Sequence, residues 1–250
     1  MRLGWKSWLA ISLVIISFAL FFIMWEIFTN LRDEEVFLFF EALAFLPIEV
    51  LLVILVIDGL LKSKDRQMRL EKMSMVIETF FSEVGSELIR RFLRFDRSSK
   101  IGESLNVTAE WTDAQYLSVK KSLGSYDFDI SCDSVDLVSL RDFISQKRQF
   151  LLTLLANPNL LEHESFTELL RATFHLIEEL VSRKDLGTIS KADREHLEGD
   201  IRRAYLLLNG QWLDYMLHLK HNYPYLYSLA VRTNPFNPNA SAEIKSMTGR

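Results

Sequence analysis

The chain has 250 residues, 49% of them hydrophobic and 25% charged, with a formal net charge of −4. Nine glycines and five prolines exclude a collagen-like or low-complexity chain, and the single cysteine, Cys132, excludes an internal disulfide framework and any multi-cysteine metal site. Charge is unevenly spread: residues 1–61 hold 3 basic and 7 acidic side chains, leaving 26 of each sign for residues 62–250.

Residues 7–25, SWLAISLVIISFALFFIMW, carry no charge. As a helix they would extend about 28 Å, close to the roughly 30 Å of a bilayer's hydrocarbon core. Trp5 and Trp8 lie at one end and Trp25 at the other, where interfacial aromatic belts form. No small-residue cleavage site follows, so the pattern predicts an uncleaved transmembrane helix over about 7–27 rather than a signal peptide. A second run, residues 36–61, predicts another span. The seven-residue linker Thr29–Glu35 would join the two into an antiparallel transmembrane hairpin over 1–61. Arg2 and Lys6 precede the first run, and Lys62, Lys64, Arg66, Arg69 and Lys72 follow the second as a membrane-proximal basic group. The linker carries Arg32 alone. By the positive-inside rule the expectation is a multi-pass protein of the cell (inner) membrane with both termini in the cytoplasm.

Glu41, Glu49 and Asp58 fall within the second run, Glu49 nearest its midpoint and Pro47 two residues before it. An ionisable group at membrane depth costs at least ~2.5 kcal/mol and needs a partner, a wet cavity or a proton. By depth the partner is Ser17 of the first run. Pro47 lacks an N–H, frees the carbonyl of Leu43 and predicts a helix kink. Two readings stay open: Glu49 and Glu41 line an ion or proton path, or Glu49 is neutral and hydrogen-bonded inside the hairpin. Asp58 pairs with Lys62 or snorkels to the surface.

Beyond Lys62, Met73, Val76, Ile77, Phe80, Phe81, Val84, Leu88, Phe92 and Phe95 repeat at helical spacing, so the second run continues as a rod to about residue 95. Residues 96–107 read as a loop. A short helix over about 112–123 follows, then one over about 133–156. Ser165-Phe-Thr-Glu168 reads as a capping box opening a helix that ends near Arg183, and Ser190 caps a long helix reaching about Asn222. Tyr223-Pro224 starts a short segment. The predicted organisation is all-α: a two-helix transmembrane hairpin (1–61), a cytoplasmic helical bundle continuous with the second span (62–232), and a flexible C-terminal tail (233–250).

Specific chemistry is hard to find. The closest glycines, Gly199 and Gly210, are eleven apart, which excludes a P-loop, a GxGxxG turn and a GxSxG elbow. HExxH is absent. Three pairs at i,i+3, His175/Glu178, Asp193/His196 and His218/His221, have the spacing of bundle-core metal ligands. Helical wheels place the histidines some 100–165° from each helix's core direction, so the expectation is no metal, no cofactor and no catalytic residue. Neither a basic patch interleaved with aromatics nor a basic pI (the value is about 5.8) is present, which argues against nucleic acid. The partners expected are the lipid bilayer, a second copy of the chain and an unidentified cytoplasmic protein. The leading functional reading is a non-enzymatic membrane protein whose cytoplasmic domain is a tethered sensor, scaffold or regulator. Its alternatives are an oligomeric ion- or proton-conducting pore and a membrane-bound enzyme.

Overall fold

The computed structural model describes residues 5–28, 34–98, 100–132, 134–158, 160 and 163–243; within its helices the side chains of 5–7, 9, 24, 27, 28, 34–44, 65–67, 69–71, 134 and 135 are not described. Helix is the only extended regular structure among these residues, as the 3.6-residue periodicities predict. The order is α1 (Trp5–Phe28), α2 (Glu34–Phe80), a π-helical turn (Phe81–Gly85), α3 (Ser86–Leu93), α4 (Lys100–Ser104), α5 (Asp113–Leu123), α6 (Ser134–Gln146), α7 (Arg148–Leu155), α8 (Glu164–Ser182), α9 (Lys191–Asn222) and α10 (Pro224–Arg232). The chain divides into two units, Met1–Arg69 and Leu70–Arg250.

In the first unit, Phe21 of α1 meets Phe45 of α2 with ring centroids 5.9 Å apart, and Ser17 is buried on the same side of α1. Ala10, Leu13, Val14, Ser17 and Phe21 form the less exposed face of α1. The helix α2 passes through Pro47. Asp58 forms the expected ion pair with Lys62, at 2.7 Å.

The membrane reading of this unit is overturned. Among the described residues no helix is long and apolar enough to cross a membrane. In α2, any stretch of eighteen described side chains from Phe45 onward includes Glu49, Asp58 and Lys62, or more charge. In α1, described side chains run unbroken only over 10–23, about 21 Å of helix against a core of roughly 30 Å. The transmembrane hairpin, the multi-pass inner-membrane location with cytoplasmic termini, the membrane-tethered sensor and the conducting pore all required such a span. They fall together.

The second unit is built around α9, which packs on α3, α5, α8, α10 and the π turn. The residues that define its apolar stripe, Leu197, Ile201, Leu208, Trp212 and Leu219, are all buried. Its N-terminus is closed as expected: the Ser190 hydroxyl accepts from the Asp193 N–H at 3.2 Å. The entry to α8 differs from expectation. His163, not Ser165, is the cap; its Nδ1 accepts from the Phe166 N–H, an imidazole doing what a hydroxyl was expected to do. Thr112 and Gln115 form a reciprocal capping box on α5.

The rod expected over 48–95 is helical but not uniform. At Phe81–Gly85 one turn widens to π geometry. Aromatic rings crowd this turn. Phe80 packs edge-on against Phe166, and Phe81 stacks on Tyr215 at 4.8 Å. A Cβ on Gly85 would lie 2.6 Å from the Phe81 ring and 2.9 Å from the Phe80 ring. The Phe81 carbonyl accepts the Ser86 N–H and, at 2.9 Å, the Ser86 hydroxyl as a second donor. After α10 the chain packs back: Asn234 is buried with its amide donating to the Leu105 carbonyl, and Phe236 meets Trp212 edge-on.

Candidate metal centre

The helices α8 and α9 are consecutive and antiparallel partners across a tight connection, residues 183–190. Two side chains brace that connection. The Asp185 carboxylate accepts from the Gly187 N–H at 2.8 Å and from the Thr188 hydroxyl at 2.9 Å. Arg183 donates to Glu179 Oε2 at 2.7 Å and grips both oxygens of Asp193, at 2.6 and 3.0 Å. The register of the two helices is therefore set near their joined ends.

That register brings together residues one turn apart on each helix. From α8 come His175 and Glu179, from α9 His196 and Asp200; both pairs are i,i+4 and so lie on one helix face. One ligand atom from each of His175, His196 and Asp200 falls within 4.8 Å of the other two. Both imidazole Nε2 atoms stand 3.4 Å from the same oxygen, Asp200 Oδ2. Glu179 closes the fourth side, with Oε1 3.9 Å from His175 Nε2 and Oε2 3.6 Å from His196 Nε2.

The Asp200 side chain is only 5% exposed, and Oδ2 is a buried acceptor with no hydrogen-bond partner among the described residues. A buried carboxylate oxygen without a donor is expensive, on the order of 1–3 kcal/mol or more. Here it faces two imidazole nitrogens, each 3.4 Å away. Around a tetrahedral cation with bonds of about 2.0–2.1 Å, neighbouring ligand atoms sit about 3.3 Å apart. The two Asp200–imidazole separations match that edge. Both histidines are about half exposed, so solvent reaches the outer side of the cluster.

Arg183 tunes the surroundings. Its hydrogen bond holds the Glu179 carboxyl below the ordinary carboxylate range; burial opposes this, and the charge of Arg183, then of His196 and His175, adds smaller lowering contributions. The same guanidinium lowers Asp193 by the same means. Asp193 faces Arg183 rather than the two histidines, so the i,i+3 pair Asp193/His196 is not a ligand pair. Glu178 is exposed and outside the cluster. His218 and His221 go elsewhere: His221 and Lys220 both meet Asp113, at 2.8 and 2.7 Å, and burial lowers the His218 imidazole.

The other residues singled out in the sequence are not brought into one site. Ser17 is buried while Glu49 is exposed; Lys62, Lys64 and Lys72 are exposed. The side chains of Glu41, Arg66 and Arg69 lie outside the described residues. Cys132 is buried, its N–H donating to Glu198 and its carbonyl accepting from Arg194. Helical wheels put the histidines away from the core, and His175, His196 and His221 are exposed while His218 is half-buried; the wheels missed Asp200. The signal was present: two His-x-x-x-acid pairs, 175/179 and 196/200, on helices joined by a short turn.

Comparison with known proteins agrees with the helical architecture. A family model described as "MJ1433, N-terminal helical domain" matches residues 1–61, and one described as "Uncharacterized protein MJ1433, C-terminal helical domain" matches residues 69–232. The protein of Methanocaldococcus jannaschii that carries that description is 46% identical over 229 residues, 92% of each chain. No solved structure matches the chain. With both helical domains present in order, the chain belongs to the MJ1433 family.

Proposed function

We propose that this is a metal-binding helical protein, and that its C-terminal domain holds one divalent transition-metal ion between α8 and α9. His175 and His196 supply imidazole nitrogen, Asp200 supplies a carboxylate oxygen, and Glu179 is the fourth donor or the partner of a bound water. A nitrogen-and-oxygen set of this kind suits Zn²⁺, Co²⁺ or Ni²⁺; Mg²⁺ and Ca²⁺ prefer oxygen alone. The carrying observation is the buried Asp200 Oδ2, which has no hydrogen-bond partner among the described residues and lies 3.4 Å from an imidazole nitrogen of each of two histidines. A cation at their centre satisfies the carboxylate, fixes both rings and cross-links α8 and α9 at this point.

Calorimetric titration of the metal-free full chain with Zn²⁺ tests this, with Co²⁺ ligand-field absorption as the spectroscopic check. The expected result is one ion per chain. Combining His175→Ala with His196→Ala, or introducing Asp200→Asn alone, should abolish the site, and Glu178→Gln one residue from Glu179 should leave it intact. Glu179→Gln should weaken it by roughly 10–100-fold, the range typical of supporting groups. Binding should also weaken on acidification, since ligating imidazoles must be deprotonated. Absence of a stoichiometric site, or a site indifferent to Asp200→Asn, contradicts the proposal.

A further inference from the structure

Within the first unit, α1 and α2 expose large apolar side chains that no described residue of that unit covers. On α1, the side of the helix turned away from Ser17 and Phe21 carries Trp8, Ile11, Ile15, Phe18, Phe22 and Trp25 at spacings of 3, 4, 3, 4 and 3, each 42–69% exposed. At about 100° per residue these six lie on one stripe. On α2, Leu46, Val50, Val53, Ile57 and Leu60 repeat at 4, 3, 4 and 3, each 43–64% exposed. An alternating three–four repeat is the seam along which helices pack side by side, knobs into holes.

Area argues for a large occupant. At roughly 80–100 Å² apiece for half-exposed large apolar side chains, eleven residues expose about 1,000 Å². The largest apolar patch on a typical monomer is about 300–600 Å², and a stable interface takes about 800 Å² from each partner. The α1 stripe also contains no charge or hydrogen-bonding centre other than two indole N–H groups at its ends, so it selects a partner surface that is equally apolar and equally long. The chain itself supplies that surface on both helices.

We infer that the occupant is a second copy of this chain, and that two α1–α2 hairpins close into a four-helix bundle through these seams. The pairing is isologous: with two-fold symmetry, each copy offers the same stripe it receives. The rigid, uncharged α1 stripe with Phe18 near its middle lies at the two-fold axis, and the α2 stripe flanks it.

Sedimentation equilibrium of the purified full chain, without detergent, reads this directly. The expected mass is twice the 29.2 kDa of one chain. Phe18→Glu together with Phe22→Glu should return it to one chain, with helical circular dichroism unchanged; Phe18→Ala with Phe22→Ala is the milder pair and should weaken dimerisation by at least about 10-fold. In a Cys132→Ser background, Phe18→Cys should form an inter-chain disulfide and Ser17→Cys, on the covered face, should not. A single-chain mass for the wild type overturns the inference. So does an open-ended series of larger masses, a dimer that survives both double substitutions, or a monomer that instead floats with phosphatidylcholine vesicles.

Discussion

The two units use apolar residues in opposite ways. In the C-terminal unit each helix carries a narrow stripe, and the stripes meet: Phe166, Leu208 and Trp212 are essentially inaccessible, and the aromatic pairs Phe80–Phe166 and Phe92–Tyr205 fill the space between helices. In the N-terminal unit the described side chains of α1 and of α2 from Phe45 to Leu61 are mostly apolar and mostly exposed, and the contact marked by Phe21 and Phe45 covers only part of them. The lesson is that hydrophobicity and burial are separate properties. Periodicity, not content, determines whether a helix finishes its burial within its own chain.

That contrast can be tested by substitution, starting with the largest effect. Phe166→Ala removes a ring buried between Phe80 and its neighbours, and should cost about 3–5 kcal/mol. Leu55→Ala removes a side chain of similar kind that is 61% exposed and outside both proposed seams, and should change stability by no more than about 0.5 kcal/mol. Chemical denaturation of the full chain measures both. Equal losses would abolish the distinction between the units. Gly85→Ala should cost about 1–3 kcal/mol, because its methyl group would press on two rings already stacked against α8 and α9. A neutral Gly85→Ala would show that the π turn relaxes freely. Thr112→Ala, which removes a reciprocal cap at the start of α5, should cost about 1 kcal/mol.

An effect of acid sharpens the comparison within the C-terminal unit. Arg183 holds Glu179 and Asp193 below their ordinary carboxylate values of 4.5 and 3.8. Groups lowered in the folded state bind fewer protons there than when unfolded. Their contribution is therefore fully present above those ordinary values and is lost as pH falls through the depressed ones. The stability difference between the wild type and Arg183→Gln should be present at neutral pH and close in the acid range. Both carboxylates are partly exposed, so the difference should be small and should shrink further in high salt.

Much of the helical order was legible in the residues. The α9 stripe, the Ser190 cap, the Asp58–Lys62 pair and the Pro224 start of α10 each follow from local spacing, which one helix expresses by itself. What was not legible arises between elements. The π turn lies where Phe80 and Phe81 meet the rings of Phe166 and Tyr215 from other helices, contacts that its own residues do not display. The His163 cap competes with a Ser165 motif that looks better in isolation. The two apolar runs predict membrane spans by composition, whereas Glu49 and Asp58 interrupt the second, Lys62 follows it at once, and no described helix meets the requirement. The metal cluster was missed because each helix was judged by its own core direction. Its ligands lie off that direction, at the seam where α8 and α9 meet, and the decisive residue, Asp200, is 25 positions from His175 in sequence but 3.4 Å away in space.

The most direct test of the account is thermal unfolding of the full chain and its Asp200→Asn variant, each with and without Zn²⁺ at about 100 times the dissociation constant of the wild-type protein. Such saturation is worth about 2.7 kcal/mol, or roughly 5–10 °C for a domain of this size. The account predicts that shift for the wild type and none for Asp200→Asn. It also predicts that the metal-free variant is at least as stable as the metal-free wild type, because a buried carboxylate without a donor is gone. A metal-free Asp200→Asn protein that melts lower, together with a wild type that Zn²⁺ does not shift, would make the cluster an internal ion-pair network and contradict the metal site.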